Sequence, residues 1–187
     1  MTIWEISEKA DYIAQRHRRL QDQWHIYCNS LVQGITLSKA RLHHAMSCAP
    51  DKELCFVLFE HFRIYVTLAD GFNSHTIEYY VETKDGEDKQ RIAQAQLSID
   101  GMIDGKVNIR DREQVLEHYL EKIAGVYDSL YTAIENNVPV NLSQLVKGQA
   151  RQHELRLCPF CRRYACLGMG VSMSVENDIS SACFRQK

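Results

Sequence analysis

A chain of 187 residues, 45% of them hydrophobic, has the material for one ordinary domain with a tail, and this composition excludes wholesale disorder. Its net charge of −2 excludes a global electrostatic pull toward nucleic acid. The charge is uneven: residues 1–50 carry six Lys/Arg against four Asp/Glu, residues 51–150 ten against seventeen, and residues 151–187 six against three.

The first element is a long helix over Ile3–Leu31. Ile6, Ala10, Ile13, His17, Leu20, Trp24, Tyr27 and Leu31 follow one another in steps of four and three, which is a helix with one narrow apolar seam. At 1.5 Å per residue it is on the order of 40 Å long. Thr2 and Glu5 have capping-box spacing at its start, and Gly34 is expected to end it. Lys9, Arg16 and Gln23 flank the seam on one side, Gln21 and Cys28 on the other; Arg18 and Arg19 point away. A narrow seam with polar shoulders suits a helix–helix contact, either with the second long helix of the same subunit or with another molecule. Arg16, Arg18, Arg19, Gln23 and Trp24 are therefore the candidate partner-binding residues. His17, on the seam, reads as a packed, hydrogen-bonded histidine.

A shorter helix is expected over Ile35–Met46. Gln33 to Arg41 has the faint outline of a turn and recognition helix, which makes Ser38, Lys39 and Arg41 the DNA-binding candidates of an alternative reading. Against it, the preceding helix is too long and the apolar spacing poor. His43 and His44 read as surface residues. From Glu53 the period changes to two. Leu54–Phe59 is an apolar run of strand length. Phe62–Leu68, Ile77–Val81 and Ala93–Ile99 alternate, and Asp70-Gly71, Asp85-Gly86 and Asp104-Gly105 mark turns. Between Phe59 and Phe62 the sequence fits either a bend or one long strand. Asp111, with Gln114 three residues on, opens another helix. Its stripe, Leu116, Leu120, Ile123, Tyr127, Leu130 and Ile134, is widened by Tyr119, Val126 and Ala133 as packing on a sheet requires. Gly125 falls on its exposed side.

The expected fold is α+β: a long N-terminal helix, an antiparallel β-meander of four or five strands, a second long helix packed on one sheet face, and an irregular C-terminal tail. This places a single regulatory domain over 1–148 and a poorly ordered, Cys- and Arg-containing tail over 149–187. Met1–Glu5 has neither the basic nor the apolar region of a secretory signal, and no apolar run approaches the length of a membrane span. A cytoplasmic protein without membrane association is expected, its seven cysteines being thiols rather than a disulfide framework.

Chemistry-bearing motifs are few. Cys158-Pro159-Phe160-Cys161 lacks the strand–helix context of a redox site. As a zinc site, Cys158 and Cys161 would recruit Cys166 and one of His153 or Cys183; one CxxC without a second spaced pair does not favour a metal. Asp100 and Asp104 bracket a turn and read as solvated. There is no nucleophile elbow, phosphate-cradling glycine loop or HExxH. Neither an enzyme nor a cofactor is expected.

Met1-Thr2-Ile3-Trp4-Glu5-Ile6-Ser7-Glu8-Lys9, the segment Trp24–Cys28 and the apolar block Leu54–Leu68 together resemble the enterobacterial formate hydrogenlyase regulatory family, the HycA-type repressors. The likeness runs from Met1 to about Gly148. It implies a small cytoplasmic protein that lowers transcription of formate hydrogenlyase and hydrogenase operons, with the formate-responsive, enhancer-binding activator of those operons as partner. It assigns no functional residue. An acidic α+β domain without a convincing recognition helix favours an anti-activator working by protein contact. A direct DNA-binding repressor and a small-molecule sensory domain are the alternatives, and a homodimer through the seam stays open.

Overall fold

A computed structural model describes residues 2–48, 53–83, 89–142 and 145. The chain divides between Gln152 and His153. The expectations for the tail, including Cys158, Cys161 and Cys166, lie outside the described residues, as does the Asp85-Gly86 turn.

Helix α1 spans Ile3–Leu37. The Thr2 hydroxyl accepts from the Glu5 N–H while the Glu5 carboxylate accepts from the Thr2 N–H, so the capping box forms. The helix does not end at Gly34. It passes through that glycine because α2 (Arg112–Glu135) crosses there. A Cβ on Gly34 would stand 2.9 Å from the Arg112 carbonyl oxygen and 3.1 Å from the Leu116 Cβ, so the glycine sets how closely the two helices approach. The helix stops instead at Ser38, whose backbone turns extended and whose Oγ accepts from the Ala40 N–H.

The shorter helix expected over Ile35–Met46 is absent. In its place an irregular segment leads into strand β1 (His44–Cys48), entered through His43 at φ +49°. β2 (Glu53–Leu58), β3 (Phe62–Leu68), β4 (Thr76–Thr83) and β5 (Gln90–Gln96) follow, and each strand pairs antiparallel with the next, giving the meander order β1-β2-β3-β4-β5. Phe59 and Glu60 both take positive φ, turning the chain between Leu58 and Phe62. That resolves the ambiguous stretch into two strands. β6 (Met102–Ile103) and β7 (Val107–Asn108) make a small hairpin around Asp104-Gly105, again with positive φ at both residues.

Period two divides the sheet's faces. Phe56, Leu58, Ile64, Val66, Ile77, Tyr79 and Val81 enter the core with Leu20, Trp24, Tyr27 and Leu31 of α1 and Tyr119, Ile123 and Val126 of α2. The other face is half-exposed and charge-paired. Tyr65 donates to Glu82 and Tyr80 to Glu78, Arg91 sits 2.7 Å from Glu78, and the Lys89 ammonium lies 4.0 Å from the centre of the Tyr65 ring. Exposed pairs of this kind contribute at most about 1 kcal/mol each. The stripe of α2 differs from expectation in four places. Val115 and His118 are buried though outside the expected stripe. Gly125 is buried rather than exposed, and Ile134 is exposed, because the helix outruns the body it covers.

Candidate protein-contact site

The seam of α1 meets two environments. Leu20, Trp24, Tyr27 and Leu31 are buried, with Trp24 1% exposed and Tyr27 sealed off entirely. Residues 2–15, by contrast, are exposed on every side of the helix. Fourteen residues at 1.5 Å each make an arm of roughly 20 Å standing clear of the body. Its side chains are not those of a solvated helix: Ile3 is 83% and Trp4 80% exposed, and Ile6, Tyr12 and Ile13 are exposed too. Scattered apolar residues on a surface need no explanation; here they recur along one exposed helical segment, which makes it the candidate contact surface.

At the base of the arm the β3–β4 loop rises to meet it. Phe72, itself 73% exposed, stacks on His17 with ring centres 5.0 Å apart and planes 14° from parallel. His17 was expected to be hydrogen-bonded; it is packed, but its buried Nδ1 has no partner. Arg16 lies over the Tyr12 ring at 5.7 Å and, with Arg19, Asn73 and His75, edges a small hollow. Arg18 and Arg19 are exposed. The other two expected partner residues turn inward. Gln23 donates through Nε2 to the Ile99 carbonyl, and Trp24 belongs to the core. Neither is offered to a partner, because the body begins at Leu20.

The DNA-binding candidates sit elsewhere and on no helix that enters a groove. Ser38 is the cap of α1, while Lys39 and Arg41 follow on irregular chain. Ser38 and Arg41 edge an open cleft of about 690 Å3 together with Ile35, His43, Phe59 and Glu60. Deeper in that cleft His44, expected at the surface, is half-buried. The Tyr127 hydroxyl donates to the Leu42 carbonyl at 2.9 Å, so it accepts from His44 Nδ1 at 3.0 Å. His44 Nε2 is left to accept from the Tyr119 hydroxyl at 2.7 Å. Every group in this chain is satisfied only with a neutral imidazole protonated at Nδ1. Burial drops His44 from 6.5 to about 4 and pushes the Tyr119 hydroxyl well up. The arrangement is a clasp tying the start of β1 to α2.

Asp104 is likewise no solvated turn residue. It accepts from the Gln96 N–H at 2.8 Å, from Lys122 at 2.7 Å and from His118 at 3.1 Å. Burial alone would raise its carboxyl, but the donors outweigh this and hold it below the usual range. Sequence reasoning missed His118 because it lies off the apolar stripe. Among the described residues no group of three or more His, Cys, Asp or Glu is placed to hold a metal ion. No helix among them is long and apolar enough to cross a membrane.

The described residues thus form an α+β regulatory-size body, two long helices with a five-stranded antiparallel sheet and a small two-stranded one, from which the N-terminal part of α1 stands exposed. A family model described as the transcriptional repressor of hyc and hyp operons matches residues 1–146, and the chain belongs to this HycA repressor family. It is 99% identical over 150 residues to the formate hydrogenlyase regulatory protein HycA of Escherichia coli K12, covering 80% of this chain and 98% of that protein. The HycA protein of Shigella flexneri matches to the same extent. No solved structure matches.

Proposed function

We propose that this protein represses formate hydrogenlyase and hydrogenase transcription as an anti-activator, by contact with the formate-responsive activator rather than with operator DNA. The observation that carries this reading is the arm. At 3.6 residues per turn, Trp4, Tyr12 and Arg19 fall on the side of α1 away from the seam, and all three are exposed. Trp, Tyr and Arg are the residue types that most often dominate the energy of protein contacts. A phosphate-binding surface needs clustered cations instead. Here Glu5, Glu8 and Asp11 share the arm with Lys9, Arg16 lies over the Tyr12 ring while Arg18 and Arg19 point to different sides of the helix, and Lys39 and Arg41 stand on no recognition helix.

The test is capture of the activator by the purified full chain, with and without formate, at about 0.15 M salt, the ionic strength at which weak surface charge effects are screened beyond ~8 Å. Capture is expected, and Trp4→Ala with Tyr12→Ala should abolish it without altering the melting temperature. Specific binding to the operon control region at that salt, with no capture of the activator, would sink the reading.

A further inference from the structure

β1 is an outer strand of the five-stranded sheet, and its pairing with β2 fixes which of its backbone groups are left over. The Phe59 N–H donates to the His43 carbonyl at 3.2 Å, and Ala45 and Met46 stand opposite Val57 and Phe56. In an antiparallel ladder only every second residue exchanges hydrogen bonds with its partner. His43 and Ala45 are the bonded positions, so the N–H and C=O of His44 and Met46 point away from β2. Among the described residues no hydrogen bond reaches them from that side. We infer that this edge takes up a further strand, an extended acidic segment of another protein, seated beside β1 where the open cleft begins. The inference stands apart from the arm, which lies at the other end of α1.

Three observations favour that occupant. The first is that the edge is unguarded. Sheet edges are ordinarily blunted by charged side chains or proline. β5, the opposite edge, carries Arg91 and follows Lys89. His44 to Cys48 hold no Lys, Arg, Asp, Glu or Pro, and Ala45, Met46 and Ser47 are exposed. The second is charge. From Gln23 to Pro50 the chain has no Asp or Glu, while Lys39 and Arg41 stand exposed on the segment leading into β1. Glu60 is the one acid on the described walls of the cleft. Acidic side chains are therefore attracted to this end of the edge. Residues 151–187, with six Lys/Arg against three Asp/Glu, and the β1 of a second copy lack that complement. The third is the cleft itself. Strand addition draws affinity from main-chain bonds and selectivity from the pockets that receive alternate side chains. Ile35, Leu42, Val57 and Phe59 give the cleft an apolar wall, with Arg41 and His43 beside it. A segment alternating acidic and apolar residues suits both. Only two N–H and two C=O groups are on offer before the register shift between Met46 and Cys48, so the contact is short and weak.

The probe is the blocked peptide Glu-Val-Glu-Val-Glu-Val-Glu, added to the isotope-labelled full chain without the activator. With a dissociation constant below about 1 mM, it should slow amide exchange at His44 and Met46 but not at Ala45, whose N–H is already bonded to β2. The same peptide with Lys in place of Glu should bind at least tenfold more weakly. Met46→Pro removes one outward N–H and no bond to β2, so it should keep the melting temperature and weaken binding at least tenfold. Ala45→Pro, which breaks the ladder, should lower the melting temperature. Arg41→Glu, on exposed irregular chain, should weaken binding of the Glu peptide at least tenfold and favour the Lys peptide. Trp4→Ala with Tyr12→Ala should leave peptide binding unchanged, which separates failure of this inference from failure of the anti-activator reading. Exchange at His44 and Met46 that stays fast with about 1 mM peptide overturns the inference. So does protection of these amides without peptide, whether residues 153–187 or a second copy covers them. Binding that survives Met46→Pro, or is indifferent to Arg41→Glu, overturns it as well.

Discussion

His44 is where a single proton has most leverage on this structure. Its two ring nitrogens join Tyr119 to Tyr127, and the second tyrosine passes the chain of donors on to the Leu42 carbonyl. Protonation would require Nε2 to donate as well, leaving the buried Tyr119 hydroxyl without an acceptor. Because the folded-state value is about 4 against 6.5 for a free imidazole, the unfolded chain binds the extra proton first as pH falls. The native state is therefore favoured fully above pH 6.5 and loses that stability progressively as pH drops toward 4, by up to about 3 kcal/mol from this group. His118, which burial holds below its ordinary value despite Asp104, acts in the same direction. Urea midpoints measured between pH 4 and 7 should fall steeply on the acid side, and His44→Gln should flatten part of that slope. Trp24 and Ile13 make a second contrast at this scale. Both lie on the same predicted seam, yet Trp24→Ala should cost about 3–5 kcal/mol as a core deletion. Ile13→Ala should leave the denaturation midpoint of dilute protein within about 0.5 kcal/mol of wild type, as expected of an exposed site.

At the level of elements, Gly34 shows how a local signal is overruled. A glycine after a periodic run reads as a helix stop, since nothing in the neighbouring residues reveals that α2 will cross there. Ala at this position improves helix propensity by about 1 kcal/mol. Against that, its Cβ meets a backbone oxygen at 2.9 Å, and forcing packed elements apart costs typically about 1–3 kcal/mol. Gly34→Ala should thus lower stability or at best leave it unchanged, and Gly34→Val should lower it clearly, as read by thermal unfolding. The meander and α2 were legible because their alternation and wide stripe are written in period two and period 3.6. β1 was not: it is a five-residue edge strand in which Ala45, Met46 and Ser47 are all exposed in succession, so they give it no period of two. The Phe59–Glu60 turn was hidden for a related reason. Both residues adopt positive φ without glycine or asparagine, and only the pairing of β2 with β3 holds them there.

For the molecule as a whole, the seam was legible but its division was not. Spacing alone gives Ile6 and Trp24 the same standing, and where the body stops at Leu20 depends on sheet and loop residues distant in sequence, such as Phe72 and Ile99. Hence Arg18 and Arg19 are exposed and Arg16 half-exposed, while Gln23 and Trp24 are drawn into the body. The division makes a further prediction. Ala14→Pro should break the helix at the arm alone, since proline removes the hydrogen bond and clashes one turn back. Circular dichroism should lose a helical contribution of about three turns, four residues to a turn at most, while the near-ultraviolet signal of buried Trp24 persists.

Between Ile3 and Gln33 there is neither glycine nor proline, so α1 has no joint at the point where it leaves the body. Arm and core segment are one uninterrupted rod of 35 residues, held in the core from Leu20 to Leu31. Beyond Gly34 the same rod ends at Ser38, which with Arg41 and Leu42 borders the open cleft where His44 bonds to Tyr119 and Tyr127. The exposed arm and the rim of that cleft are thus the two ends of a single helix.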